Sequence, residues 1–416
     1  MRTKFVTLIF AVASIDFAQT PAATLVGRIL DPSHAAVAGA TIRLRNVGTN
    51  DVRTGQSQVD GAYTISSLAP GTYDVTIEKE GFKQLHEQNL VLQVDQTARL
   101  DATLQVGAVS QTVEVEATVP LLNTETSAKG EVIAPNEITE MPLNGRDFND
   151  LAFMVAGVQA AEQGGKGSPY VVNGARADAS NVTIDGINDF NPRDAGAQAR
   201  PPLESLQEFK LQTSGYSAEY GRLAGGVVTM ALKSGGNQPR LSLFEYLRND
   251  MFDARNFFDA GKSKLRRNQF GANATGPVVI PHFYNGHDKT FFLASWESQR
   301  QVAGSSNLGV VPSLLERAGD FSQSVDSSGK AILLKDPLAS GSCTATNSTA
   351  CFPGNKIPTN RVSPIAQQLM SHYPLPNNGG VNNLRANGVA RDFWDNFLFK
   401  VDQKVGQKDN FALRVL

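Results

Sequence analysis

Residues 170–190 read YVVNGARADASNVTIDGINDF. Asn173-Gly174 supplies a tight turn with positive φ, and Asp185-Gly186 does the same after a strand over Asn181 to Ile184, because these residue types tolerate the left-handed region. Arg176 and Asp185 are turn-region residues first, and both are available to pair with charges on a surrounding wall. Around this stretch, from Glu125 to Gly236, the chain is rich in Gly, Asn, Asp and Ser. Its short strands are interrupted by polar turns, with brief helical candidates near Arg146 to Met154 and Leu203 to Glu208. The segment lacks the apolar density of a free-standing core. It is expected inside a hydrated shell, where polar turns bond to lumen walls and water.

Further along, Ala218-Glu219-Tyr220-Gly221-Arg222 is followed by Gly225-Gly226-Val227-Val228. Glycine there permits close backbone approach, expected where the segment packs against its wall. A phosphate-binding loop needs a Gly-Lys-Ser/Thr ending and a strand-to-helix setting, and neither is present. After Gly236 the texture changes to aromatic-containing alternating strands, expected at Leu241 to Leu247, Phe270 to Thr275, Thr290 to Gln299, Trp394 to Asp402 and Asn410 to Leu416. Phe397, Phe399 and Val401 point one way and Asn396, Leu398 and Lys400 the other. Phe411, Leu413 and Val415 oppose Ala412 and Arg414. Apolar-out and polar-in alternation is the logic of a membrane barrel. A long loop is expected from about Gln301 to Asp392.

Toward the N-terminus, Thr24 to about Val106 is a succession of short alternating runs. Asp60-Gly61 and Pro70-Gly71 are turn signals, and Tyr73, Val75 and Ile77 share one face of the run Thr72 to Ile77. Further strands are expected at Leu25 to Leu30, Ala40 to Arg45, Tyr63 to Ile65, Leu90 to Val94 and Ala98 to Leu104, which suggests a small β-sandwich. Met1 to Ala18 places Arg2 and Lys4 ahead of an apolar stretch, the layout of a secretory signal. Between sandwich and middle segment, Gln111-Thr112-Val113-Glu114-Val115-Glu116-Ala117 is a short alternating tether. It can add as a strand to the sheet edge of another protein, or serve as a last sandwich strand.

Whole-chain properties narrow the function. A net charge of -2 with interspersed signs removes nucleic acid as a partner. No apolar run long enough for a membrane helix occurs past the N-terminus, which leaves a barrel open. His34 and His86, and separately His282, His287 and His372, form no metal or general-base spacing, so neither cofactor nor enzyme activity is expected. Cys343 and Cys351 lie in a Ser/Thr/Asn-rich loop, where an exported compartment favours a small-loop disulfide over free thiols.

Specific blocks carry a family resemblance. LVGRILDPSHAAVAGATIRLRNVGT (25–49) and TGQSQVDGAYTISSLAPGTYDVTIEKEGFK (54–83) resemble the carboxypeptidase regulatory-like domain. That resemblance implies a transthyretin-like, carbohydrate-binding-like sandwich acting as a spacer or as an adaptor or glycan-contacting surface. MPLNGRDFNDLAFMVAGVQ (141–159), the opening stretch 170–190 and SLQEFKLQTSGYSAEYGRLAGGVVTMALKSGG (205–236) are similar in order to the plug of Oar-like TonB-dependent receptors. DPLASGSC and CFPGNKIPTNRVSPIAQQLMSHYPLPN resemble loops of their barrels, and the 111–117 heptapeptide resembles a TonB box.

The resemblance implies an all-β-dominated chain: signal peptide 1–18, regulatory-like sandwich 24–106, linker 107–124, α+β plug 125–236 and the first strands of a 22-stranded transmembrane barrel over 237–416. A barrel of about 22 strands of roughly 10 residues needs far more chain than follows the plug. The sequence is therefore expected to be part of a longer protein or the product of a broken gene. The implied partners are a TonB-type energy transducer, outer-membrane lipid and an unidentified ligand, carbohydrate among the options. The implied location is the bacterial outer membrane with the sandwich in the periplasm. Energy-coupled uptake is the expected function; glycan-binding adhesion without transport and a non-functional fragment are the alternatives.

Overall fold

The computed structural model describes residues 22–108, 112–116, 125–162, 167–191, 193, 196–220, 224–255, 257, 262–326, 328–380, 382–406 and 409–416. The leader stretch 1–18 lies outside them. Alternation builds the N-terminal domain. Strands β1 (Ala23–Leu30), β2 (Thr41–Asn46), β3 (Val52–Gln56), β4 (Ala62–Leu68), β5 (Gly71–Glu78), β6 (Gln84–Leu92), β7 (Thr97–Arg99), β8 (Ala102–Thr103) and β9 (Thr112–Glu116) form two sheets. One has the order β4-β1-β7 with β8 also on β1, and the other the order β3-β2-β5-β6-β9. Tyr73, Val75 and Ile77 are buried on the inner face, with Leu25, Ile42, Leu44 and Tyr63 in the same core. The edge strand Val52–Gln56 escaped the sequence pattern because VRTGQ has no apolar alternation. The run Ala98 to Leu104 divides into two short strands on β1.

The middle domain is a mixed sheet of order β10-β15-β16-β13-β14, from β10 (Lys129–Ile133), β13 (Asn181–Ile184), β14 (Ile187–Asn188), β15 (Leu206–Ser214) and β16 (Val227–Leu232). A small hairpin of β11 (Val158–Ala160) and β12 (Tyr170–Val172) accompanies it. Helix α1 (Pro135–Glu140), absent from the sequence reading, starts on a proline and is closed by the Glu137 carboxylate accepting from the Ala134 amide at 3.0 Å. The candidate at Arg146 to Met154 is a 3-10 segment, Phe148–Met154. The candidate at Leu203 to Glu208 shortens to the 3-10 turn Leu203–Ser205 before β15 begins.

The apolar cluster of the middle segment is not free-standing, since Leu293 and Leu398, from two strands of the C-terminal sheet, belong to it. Ile133, Ile138, Phe148, Leu151, Phe209 and Met230 belong to one buried cluster, and β13 and β16 are buried along their whole length. These residues are scattered singly in sequence; antiparallel pairing sets Ile133 opposite Phe209 and Phe209 opposite Met230.

The C-terminal sheet has the order β17-β18-β21-β22-β23: β17 (Arg240–Asn249), β18 (Leu265–Pro277), β21 (Thr290–Gly309), β22 (Leu384–Val405) and β23 (Asp409–Val415). The short hairpin β19 (Val279–Ile280) and β20 (Tyr284–Asn285) joins β18 to β21. The expected loop from Gln301 is shorter than read, because β21 runs on to Gly309 and β22 begins at Leu384. At roughly 3.3 Å per residue such strands outrun a ~30 Å hydrocarbon layer.

The sheet is apolar outside. Phe397 is 65% and Phe399 45% exposed, while Leu398 and Lys400, which alternate with them, are 1% and 6% exposed. Phe411, Leu413 and Val415 are likewise exposed, whereas Gln269, Asn273, Ser295 and Glu297 are buried. The chain divides into two compact units, 1–245 with 269–298 and 395–416, and 246–268 with 299–394. In the second, Cys343 and Cys351 are disulfide-bonded, Arg361 forms a two-point ion pair with Asp336, and α2 (Leu314–Arg317) and α3 (Pro364–Ser371) are α-helical.

Candidate functional site

Asp185 and Gly186 form the two-residue turn between β13 and β14, with φ of 45° and 80°. Positive φ at both positions matches the right-handed twist of a hairpin, and Asp and Gly are residues that accept it. The turn carries the Asp185 carboxylate into a buried site. Oδ1 accepts from the Leu232 amide at 2.8 Å, and Oδ2 lies 3.2 Å from Lys400 Nζ on β22 and 2.8 Å from Arg414 Nε on β23. Lys400 Nζ is also 3.5 Å from Asp402, which accepts from Ser234 Oγ at 2.6 Å. The middle domain is thus tied to two neighbouring strands of the C-terminal sheet by alternating charges.

A second buried tie lies at the other sheet edge. Arg146, in a left-handed conformation after Gly145, pairs with Glu204, both side chains almost fully buried. The Glu204 carbonyl accepts from Asn273 on β18, the Gly145 carbonyl accepts from Gln269 Nε2 at 2.9 Å, and the Arg146 guanidinium lies 5.6 Å from the Phe244 ring centre. Side-chain amides of the sheet therefore bond main-chain groups of the middle domain, which a lipid-facing surface could not do.

A third contact joins sandwich to middle domain. Glu208 and Lys210 project from one face of β15. Glu208 accepts from the Val94 amide at 2.5 Å, and Lys210 Nζ donates to the Asp95 carbonyl at 2.6 Å and to the Val94 carbonyl at 3.3 Å. Burial pushes the Glu208 carboxyl up to about 7, against the opposing pull of the Val94 amide and Lys210. Tyr220 stands beside Asp95 and Thr229, its hydroxyl pushed up by burial and then by the Asp95 charge.

The residues singled out in the sequence divide among these places. Asn173 and Gly174, at φ 50° and 74°, close a turn with the Ala175 amide donating to Val172 O at 2.9 Å. Arg176 pairs locally with Asp178 at 2.7 Å on the surface and does not reach the sheet. Gly225 and Gly226 are tight positions, but against the domain itself rather than a wall. A Cβ on Gly225 would sit 2.6 Å from the Ala179 carbonyl, and one on Gly226 would meet Val172 and Leu211. Gly221, Arg222, Gln111 and Ala117 lie outside the described residues. Residues 112–116 form β9, parallel to β6 with Gln84 opposite Thr112 and Gln88 opposite Glu116.

Arg146, Glu204, Glu208, Lys210 and Arg414 were not singled out. Only the Glu208 and Lys210 spacing, two charges two apart in an apolar strand, carried a signal. Among the described residues no group of three or more His, Cys, Asp or Glu side chains has metal-binding geometry.

An outward-apolar, inward-polar sheet ion-paired to a mixed α+β domain defines a plugged outer-membrane β-barrel protein. Three families match in chain order: the carboxypeptidase regulatory-like domain over residues 24–105, the TonB-dependent receptor plug domain over 123–228 and the outer membrane beta barrel domain over 231–416. That domain order is the one a TonB-dependent receptor has, and the plug and barrel matches indicate the outer membrane as the location. The chain is similar to the TonB-dependent transporter Oar of Myxococcus xanthus, at 25% identity over 301 residues, 68% of this chain and 27% of that protein. The chain thus spans about a quarter of the curated relative it matches. Among solved structures it is similar to the outer-membrane transporter YddB from Escherichia coli (12% identity, 68% of this chain, 32% of that chain, TM-score 0.38). It is also similar to the siderophore receptor PirA from Acinetobacter baumannii (17% identity, 42% of this chain, 28% of that chain, TM-score 0.34).

Proposed function

We propose that this chain is the sandwich, plug and first barrel strands of an energy-coupled transporter that moves a ligand across the outer membrane without chemistry on it. The observation that carries the reading is the buried Asp185, Lys400 and Arg414 cluster between plug and barrel strands. A plug held by desolvated ion pairs is stable while dry and lets go when displacement admits water to the charges, the behaviour a removable stopper needs. A TonB-type transducer is the proposed partner, engaging residues 111–117 by strand addition. The two readings of that segment are compatible, since β9 lies at the end of its sheet and pairs with β6 alone among the described residues.

The test is deletion of Gln111 to Ala117 in the full-length receptor. Capture of the transducer's periplasmic domain and transport are expected to be lost while the receptor still reaches the outer membrane. Undiminished capture by the deleted form rules the assignment out, and surface binding of glycans without any capture by the parent favours adhesion instead.

A further inference from the structure

The N-terminal sandwich is fastened at two separate points. Its 93–96 turn grips plug strand β15 through Glu208 and Lys210, as described. Its β2–β3 turn holds the barrel end: Asn50 Nδ2 donates to Asp288 at 3.0 Å, Asn237 Nδ2 donates to the same carboxylate at 2.6 Å, the Asn237 amide donates to Gly48 O at 3.0 Å, and Asp51 pairs with Lys404. Asp288 lies in the short connection before β21 and Lys404 near the end of β22, and the two places are joined by the Lys404 amide donating to Lys289 O at 2.8 Å.

The two fastenings differ in kind. Asn50 and Asp288 meet at the surface, where ion and amide contacts exchange readily with water. Glu208 and Lys210 are 5% and 7% exposed; Glu208 accepts from a main-chain amide of another domain, and Lys210 donates to two carbonyls of that domain and to the Asp95 carboxylate at 3.3 Å. Neither side chain takes part in the main-chain pairing of β15 with its neighbours, and both are desolvated where they meet the 93–96 turn. Docking must match geometry to offset that desolvation, whereas undocking returns both charges to water. The contact is therefore specific when closed and inexpensive to open. The gripping turn also directly follows β6, the strand that carries β9 on its edge.

We propose that the sandwich is a clasp that holds the plug shut from outside the barrel, anchored to the rim by Asn50 and Asp51 and released at Glu208 and Lys210. Displacing β9 would act on the strand that ends in the gripping turn. The clasp rests on the plugged-transporter reading, because a clasp matters only if the plug moves.

The test measures potassium chloride conductance of the full-length receptor in planar lipid bilayers. Lys210→Met, which removes the donor to both carbonyls and to the Asp95 carboxylate, is expected to raise the time-averaged open fraction by about tenfold. Lys210→Arg, which keeps the donors, is expected to stay within about twofold of the parent. A folded Lys210→Met receptor as closed as the parent, or an Arg variant that leaks equally, overturns the clasp. If Lys210→Met does not fold, Glu208→Ala is read by the same bounds. A receptor lacking residues 125–228 is the control. Should it fail to conduct, the plugged-barrel reading falls and the clasp with it; a conducting control beside a silent Lys210→Met removes the clasp alone.

Discussion

The Asp185 carboxylate lies 2.8 Å from Arg414 Nε, joining the tip of a plug hairpin to the last strand of the C-terminal sheet. Asp185→Asn keeps a residue that tolerates positive φ, so it removes the charge and spares the turn. Arg414 then loses its ion pair in a buried setting and Lys400 keeps only Asp402. The plug is expected to lose about 3 kcal/mol of stability against urea in the full-length receptor. A midpoint unchanged by the substitution would mean that the pair contributes nothing to plug retention.

Glu208 governs a pH dependence. Its carboxyl is raised from an ordinary 4.5 to about 7 in the folded protein, so between these values the folded state holds a proton that the unfolded chain has released. Stability from this group is therefore present below about 4.5 and lost as pH rises toward 7. Asp189, raised to about 6 by burial, changes in the same direction from a different part of the plug. Hydrogen exchange of the 93–96 amides is expected to quicken from pH 5 to pH 8, after correction for intrinsic rates, and Glu208→Gln is expected to flatten that change. An equal slope in the Gln variant assigns it elsewhere.

The outward face of β22 and β23 makes a prediction about lipid. Leu413, 64% exposed, and Phe397 are read as facing hydrocarbon. Lysine at either position is expected to cost about 2–4 kcal/mol near the bilayer midplane. Folding yield of the full-length receptor into lipid vesicles, followed by gel mobility, measures it. Yields equal to the parent would place these side chains in water.

Two glycines separate two kinds of constraint. Gly174 has φ of +74° and open space around its Cβ position, so Gly174→Ala should cost about 1 kcal/mol from backbone strain alone. Gly225 has an ordinary φ, but its Cβ would press on the Ala179 carbonyl that its own amide bonds at 2.7 Å. Gly225→Ala should therefore cost more, about 2 kcal/mol or above, because backbone must move against backbone. Urea midpoints of the two variants test the order, and the reverse order would show that strain outweighs packing here.

The sequence by itself determined what depends on neighbours in the chain. Alternation at Phe397 to Val401 and Phe411 to Val415 predicts the faces because a strand has a period of two, and Asn173-Gly174 and Asp185-Gly186 predict turns because few residues accept positive φ. Motif order carried the three-domain reading in the same way. Tertiary structure alone decided which charges meet. Nothing near Asp185 indicates Lys400 or Arg414, Arg176 from the same block turned to Asp178 instead, and Gly225 packs on Ala179 rather than on a wall. The apolar core of the plug was hidden for the same reason, since Ile133, Phe209 and Met230 become neighbours only after antiparallel pairing of β10, β15 and β16 brings distant single residues together. Ion pairs and cores are properties of position in space, and sequence periodicity encodes only which way a side chain points.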